Sequence, residues 1–315
     1  MTAPAPLAPA APVVAAHGTL GRVADDVYAF VQPEGGWCLN NAGLVVGGSR
    51  AVLVDTAATE SRTRRLREEV EGVVPGGPDF VVNTHFHGDH TFGNGQFVPR
   101  ATVVSAEGTR SDVAEAGLGL RHLWPDVEWG ETPLTPPTLT FRDTLTLHGD
   151  GGPRTELFDV GPAHTPNDVV AWVPERRVLF TGDVVWSGVT PYLLMGSITG
   201  SLKALQRLRA LGATVVVPGH GPVGGPELID ATAAYVRRIQ EIARDGLRRG
   251  LTPLRAAREA DLGAFAGLLD AERLVGNLHR AYAEAEGLAP GARIDVAASF
   301  GEMVELHGGL PSCHA

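Results

Sequence analysis

The segment Thr84-His85-Phe86-His87-Gly88-Asp89-His90 gathers metal-binding chemistry into a few consecutive residues. The chain has 11 histidines, and three of them fall here beside an aspartate. Histidines that only fill a core need no such clustering. Imidazole nitrogen and carboxylate oxygen are the ligands that Zn²⁺ takes when no thiolate is offered. A glycine at position 88 lets the backbone turn sharply, so that His85 and His87 can face one cation while Asp89 and His90 face a second.

Three further ligand-type residues share one local context. His164 follows the strand-like run 157–160 through Gly161-Pro162-Ala163, and Asp183 follows Val178-Leu179-Phe180 through Thr181-Gly182. His220 follows Val215-Val216-Val217 through Pro218-Gly219. Each time an apolar strand empties into a small-residue turn and a ligand comes next, as it does after Phe80-Val81-Val82 for the histidine cluster. Loops at strand ends, fixed by a rigid sheet, are where α/β proteins place reactive groups.

The elements that must hold these loops are legible as short β-type runs and amphipathic helices. Strands are expected at 27–31, 44–46 and 51–55, with Gly47-Gly48 as a hairpin turn. A helix is expected over 60–73, ended by Pro75-Gly76-Gly77-Pro78, and another over 106–116. Residues 102–105 form a further strand, and the Pro- and Trp-containing stretch 124–137 reads as an ordered loop. Strands follow at 139–141 and 145–147, separated by a turn at Arg142-Asp143, then at 155–160, 169–173 and 178–180. After a helix over 202–211, the pattern becomes helical at 227–249, 253–260 and 271–285. Strands first, helices between them and a helical tail imply an α/β sandwich with an appendage. The division expected is residues 1–18 as a disordered Ala/Pro-rich arm, 19–225 as the catalytic domain, and 226–315 as a helical extension covering the active-site side.

Composition excludes several classes. The 315 residues, 43% hydrophobic, can bury a large core, and 26 basic against 36 acidic residues give a net charge of −10. That charge repels phosphate backbones, and the densest basic run, 62–67, is a solvated helix face followed by Glu68, Glu69 and Glu71, so no nucleic-acid partner is expected. No apolar run is long enough for a membrane span, and residues 1–16 lack the basic start of a signal peptide. Cys38 and Cys313 support no disulfide framework and read as reduced thiols of a cytoplasmic protein, both far along the chain from any ligand loop.

With its ligands in the order His85-x-His87-x-Asp89-His90, His164, Asp183 and His220, the chain resembles the metallo-β-lactamase superfamily over residues 19–225. The resemblance implies a four-layer αββα sandwich with a two-zinc site between the sheets. His85, His87 and His164 would bind the first zinc, Asp89, His90 and His220 the second, and Asp183 would bridge both. Two such cations lower the pKa of a shared water and polarise a carbonyl. Asp89 is then the natural acceptor for the attacking water's proton, and Asp55 resembles an acid that orients the ligands from behind.

Bridging Asp183, in place of the cysteine used by common zinc β-lactamases, resembles the thioesterase, lactonase and phosphodiesterase branches. The segments Val184-Val185-Trp186 and Pro191-Tyr192-Leu193-Leu194-Met195 are apolar with one phenol, which suits a hydrophobic or aromatic acyl group. Tyr192 could donate its hydroxyl to a tetrahedral oxyanion, and Trp37, Trp124 and Trp129 are either walls of the same cleft or anchors of the core and loop. The expected activity is hydrolysis of an acyl thioester, or a related activated ester or lactone. The substrate would be a small acyl compound, free or linked to coenzyme A or a carrier protein, by general resemblance to the thioesterase and cyclase enzymes of aromatic polyketide pathways. The alternatives are an iron-dependent sulfur dioxygenase-type oxidoreductase and a β-lactamase-like amide hydrolase. Asn277 and His279 in the tail are within the segment that could reach substrate but are not counted among the site residues, and His279 reads as a surface or core histidine.

Overall fold

Val-, Leu- and Ile-rich runs alternate with glycine turns and build two sheets. A computed structural model describes residues 18–315, so all of the expected arm except Gly18 lies outside the described residues. The first sheet has the order β1 (Thr19–Ala24), β2 (Val27–Val31), β3 (Ala42–Gly47), β4 (Arg50–Val54), β5 (Phe80–Val82), β6 (Thr102–Ala106) and β7 (Leu139–Phe141). Its first four strands pair antiparallel and β4 to β7 pair parallel. The second sheet runs β12 (Val215–Val217), β11 (Val178–Phe180), β10 (Val169–Val173), β9 (Thr155–Asp159) and β8 (Thr144–Leu147). Here β11 and β12 are parallel and the remaining pairs antiparallel.

The inner faces of the two sheets form one core, with Val45, Val54 and Val82 on one side and Leu157, Ala171 and Phe180 on the other. A side chain at Gly43 would meet the Phe180 ring at 2.2 Å, so glycine there sets how closely the sheets approach. The outer face of the first sheet is covered by α1 (Glu60–Val73), whose Leu66 and Val70 pack on Leu44, Leu53 and Val81. Thr59 caps that helix by accepting from the Arg62 N–H. The outer face of the second sheet is covered by α4 (Ile198–Ala210) and α5 (Glu227–Arg248). The layers are therefore helix, sheet, sheet, helix, in accord with the αββα architecture expected. The remaining helices are α2 (Gly88–Thr91), α3 (Glu107–Ala116), α6 (Pro253–Glu259), α7 (Arg273–Ala285) and α8 (Val296–His307).

The turn expected at Arg142-Asp143 is present and joins the two sheets. It carries the chain from β7, parallel to β6 at the edge of the first sheet, to β8, antiparallel to β9 at the edge of the second. The structure departs from the expectation elsewhere. Helix α4 starts at Ile198 rather than 202, because the Ser197 hydroxyl accepts from the Gly200 N–H at 2.8 Å and caps it there. Strand β1 and helix α8 were not foreseen. Among the described residues no helix is long and apolar enough to cross a membrane.

Candidate metal centre

The ligand-type residues follow the ends of β5, β9, β11 and β12, and the structure brings all seven together. His85, His87, His164 and Asp183 form one group, and Asp89, His90 and His220 a second, with the donor atoms of each group within 4.8 Å of one another. Asp183 reaches both. One carboxylate oxygen lies 3.3 Å from His164 Nε2 and 3.5 Å from His220 Nε2, and the other 3.2 Å from His90 Nε2. Asp89 Oδ2 is 3.3 Å from His220 Nε2. Gly88 has a role other than the sharp turn expected of it. It opens α2 without a left-handed φ, and a side chain there would strike the Phe92 ring at 2.4 Å.

The rings are oriented from behind. Nδ1 of His90 bonds Asp55 Oδ2 at 2.8 Å, Nδ1 of His220 bonds the Gly35 carbonyl at 3.0 Å, and Nδ1 of His164 bonds the Tyr192 carbonyl. Nδ1 of His85 meets Thr84 Oγ1 at 3.0 Å, and that hydroxyl donates to Asp55 Oδ2 at 2.7 Å. Asp55 thus sits behind both His85 and His90, which agrees with the orienting role the resemblance implies. Nδ1 bonds of this kind fix the tautomer that leaves Nε2 as a free lone pair.

The donor set fits a pair of divalent cations. Nε2 of His85 and His90 and Oδ1 of Asp183 are buried with no hydrogen-bond partner, and His87 turns its Nδ1 to within 2.9 Å of His164 Nε2. Buried polar atoms left idle are costly, and so many pointing at one another are what a cation would satisfy. Nitrogen and carboxylate oxygen without sulfur suit zinc. In the metal-free state, burial pushes the His85, His87 and His164 imidazoles down, His87 to about 3, aided by neighbouring rings. Burial acts the same way on His90 and His220, but the carboxylates outweigh it, Asp183 foremost, holding His90 well above the ordinary range and His220 at about 9. Burial raises Asp89, yet His90 and His220 bring it down to about 2. Asp183 is likewise held well below its usual range, by the imidazoles against the opposing effect of burial.

Above the cluster opens a cleft of about 420 Å³, lined mainly by apolar groups including Trp37, Trp186, Tyr192, Met195 and Phe300. The Trp186 ring stacks on His220 at 4.7 Å with 13° between planes. Tyr192 lines the cleft as well, its phenol pushed up by burial and so a proton donor at neutral pH. Trp37 is a wall, whereas Trp124 supports it from behind at 5.4 Å and Trp129 donates to the Trp124 carbonyl at 3.0 Å.

Sequence reasoning missed the side chains that build the rest of the cleft. Cys38 is remote in sequence from every ligand loop, yet it lines the cleft beside Asp89 and His220, which corrects the expectation that both cysteines lie apart from the site. The neighbouring Cys313 thiol, together with burial, pushes the Cys38 thiol well above its usual range. Arg273, buried against Trp37 at 4.0 Å and Trp186 at 4.9 Å, was not singled out. On one face of α7, Arg273 donates to the Thr190 carbonyl, Asn277 donates to Pro191 and accepts from Leu193 N–H, and Arg280 donates to Leu194. Three polar side chains at positions i, i+4 and i+7 thus hold the backbone on either side of Tyr192, a spacing visible in the sequence. Asn277 is therefore a brace and not a substrate contact, and His279 bonds Glu302 at 2.8 Å away from the cleft.

Comparison with known proteins agrees with this geometry. The family model described as the metallo-beta-lactamase superfamily matches residues 35–220. The chain is 27% identical over 232 residues to a metallo-beta-lactamase type 2 of Bacteroides fragilis, covering 71% of this chain and 87% of that one. It is 29% identical over 195 residues to a hydroxyacylglutathione hydrolase of Methylococcus capsulatus, covering 61% of this chain and 64% of that one. Among solved structures, a metallo-beta-lactamase from Pontibacter korlensis superposes with a TM-score of 0.59 at 24% identity, over 70% of this chain and 99% of that one, a likeness of fold. The match spans well over half of the chain and contains all seven clustered side chains: the chain belongs to the metallo-beta-lactamase superfamily.

Proposed function

We propose that this chain is a dinuclear zinc hydrolase that cleaves an acyl thioester, or a related activated ester or lactone, carrying an apolar or aromatic acyl group. The observation that carries the reading is two adjoining His/Asp groups at the floor of an aromatic-walled cleft. His85, His87 and His164 would hold one cation, Asp89, His90 and His220 the other, and Asp183 would be shared. When bound, the pair supplies Lewis-acid polarisation of a carbonyl and a water activated near neutral pH.

The chain's own groups do the rest. Asp89, buried and ionised, accepts a proton from the attacking water at a carboxylate oxygen and returns it to the departing sulfur or oxygen. Tyr192, kept protonated by burial, donates to the oxygen that gains charge. Trp37, Trp186 and Phe300 seat the acyl group and exclude water. The substrate is a small acyl molecule, free or carried on a thiol-bearing partner such as coenzyme A or a carrier protein.

Support for a thioester comes from the hydroxyacylglutathione hydrolase relative and from the carboxylate, not a thiolate, at the shared position. The Bacteroides fragilis relative favours a second reading, β-lactam hydrolysis. None of the relatives named above is a polyketide enzyme, and the proposal stops at the class of bond. The test is metal analysis of protein purified without added metal, followed by a screen with aryl thioesters, lactones, phosphodiesters and a β-lactam. Zinc near two per chain and preferential turnover of the thioester are expected, given two ligand groups. A single iron per chain, or turnover confined to the β-lactam, would overturn it.

A further inference from the structure

Beside the cleft lies a second cavity of about 370 Å³, whose lining includes Phe86, Met195, Arg280, Arg293 and Val296. Met195 and Val296 also line the cleft, and Phe86 precedes His87 with the two rings 4.6 Å apart, so the two spaces adjoin at the cluster. Arg280 is fully buried, and its Nε donates to the Leu194 carbonyl at 2.9 Å. Both of its Nη atoms are buried with no hydrogen-bond partner.

The other charged groups lining this cavity are already occupied. Asp112 accepts from Asn167 Nδ2 at 2.8 Å, and Glu115 pairs with Arg293. Glu284, one turn along α7 from Arg280, accepts from the Ile198 and Thr199 N–H groups and the Thr199 hydroxyl. A buried guanidinium with its outer fork idle is an unfavourable arrangement unless an anion completes it. Two parallel Nη–H groups match the two oxygens of a carboxylate, a geometry that a lysine would not reproduce.

We propose that Arg280 anchors a carboxylate at the end of the substrate remote from the bond that is cleaved, with the apolar body of the substrate crossing from the second cavity into the cleft. Met195 is unbranched and flexible, so the partition between the two spaces yields to a ligand that spans them. The substrate class is then an apolar acyl compound with a terminal carboxylate. This rests on reading the His/Asp cluster as the reaction centre.

The test uses non-hydrolysable probes. A series of benzyl ketones carries a methylene chain of increasing length that ends in a carboxylate, and each is paired with its methyl ester. Binding to the metal-loaded protein is measured by calorimetry. For at least one chain length the acid should bind about tenfold or more tightly than its ester, a difference of about 1.4 kcal/mol. In Arg280→Met the acid and its ester should bind equally, whatever their common affinity, and Arg280→Lys should restore part of the preference. Equal binding of acid and ester to the unaltered protein, absence of binding by either, or a preference that survives in Arg280→Met would overturn the assignment. The first two outcomes need no variant, so they stand even if Arg280→Met fails to fold. Binding of a ketone is independent of turnover, so a protein that cleaves no thioester can still show the preference.

Discussion

Asp183 places one carboxylate oxygen by His164 and His220 and the other by His90, so its removal touches both groups at once. Asp183→Ala should lose at least one equivalent of metal and abolish hydrolysis while its far-UV circular dichroism is unchanged. Full activity in that variant would remove the shared role. Asp55 touches no cation directly, but it orients His90 and, through Thr84, His85. Asp55→Asn should weaken metal affinity by roughly 10–100-fold, read by competition with a chelator. Protons and metal compete for the same imidazoles. In the metal-free protein burial disfavours the His220 cation, but Asp183 and Asp89 raise its pKa to about 9, so at pH 7 the ring holds a proton that a metal must displace. Apparent metal affinity should therefore rise as pH climbs from 7 towards about 9, with protons released on loading. Calorimetry in buffers of different ionisation enthalpy reads that release directly, and loading without proton release would contradict it.

Strand ends do the positioning at the next scale. The turn after β12 approaches Asp183 so closely that a side chain at Gly219 would sit 1.9 Å from its Oδ1 and 2.6 Å from the Gly182 carbonyl carbon. Gly219→Ala should cost about 1–3 kcal/mol of stability and reduce metal content, because the inserted methyl must displace the shared carboxylate or the backbone behind it. Gly72 in α1 has open space around it, so Gly72→Ala is the control and should leave metal content unchanged. Thermal unfolding with metal analysis checks the pair. The strands that carry His164, Asp183 and His220 were legible because each apolar run empties into a turn with glycine or proline, and the histidine cluster after β5 needed no more than its spacing. What escaped was whatever depends on partners distant in sequence. The turn at Arg142-Asp143 was legible, but only the pairing of β7 with β6 and β8 with β9 shows that it crosses between sheets. Cys38 lies in the cleft through a loop whose path no local signal records. Helix α8 was within reach, since Asp295 caps its start and Gly308, with φ of 85°, its end, but Gly301 interrupts the helical propensity between them.

Over the whole molecule, the apolar cluster around the cleft does not stop where the family match stops. Val170, Leu179 and Val216 of the second sheet share it with Ile229, Val236 and Ile239 of α5 and with Leu274 and Leu278 of α7. The walls of the cleft follow the same pattern, because Arg273 of α7 and Val296 and Phe300 of α8 face His87 and Asp89 across it. Trp37 is tied to this helical part by a 2.6 Å bond from its indole N–H to Glu272. A division at residue 225 into a catalytic domain and an extension therefore has a sharp consequence. Each large apolar side chain exposed by removing the helices forfeits about 1.5–3 kcal/mol, and a domain's whole stability is only about 5–15 kcal/mol. Exposing Val170, Leu179 and Val216 alone would cost about 5–9 kcal/mol, comparable with that whole stability. A fragment of residues 18–225 should accordingly be insoluble, or should bind a hydrophobic dye and unfold without a cooperative transition. If the same fragment instead melts cooperatively and retains its metal, residues 19–225 fold as an independent domain and the helices serve only to shape the cleft.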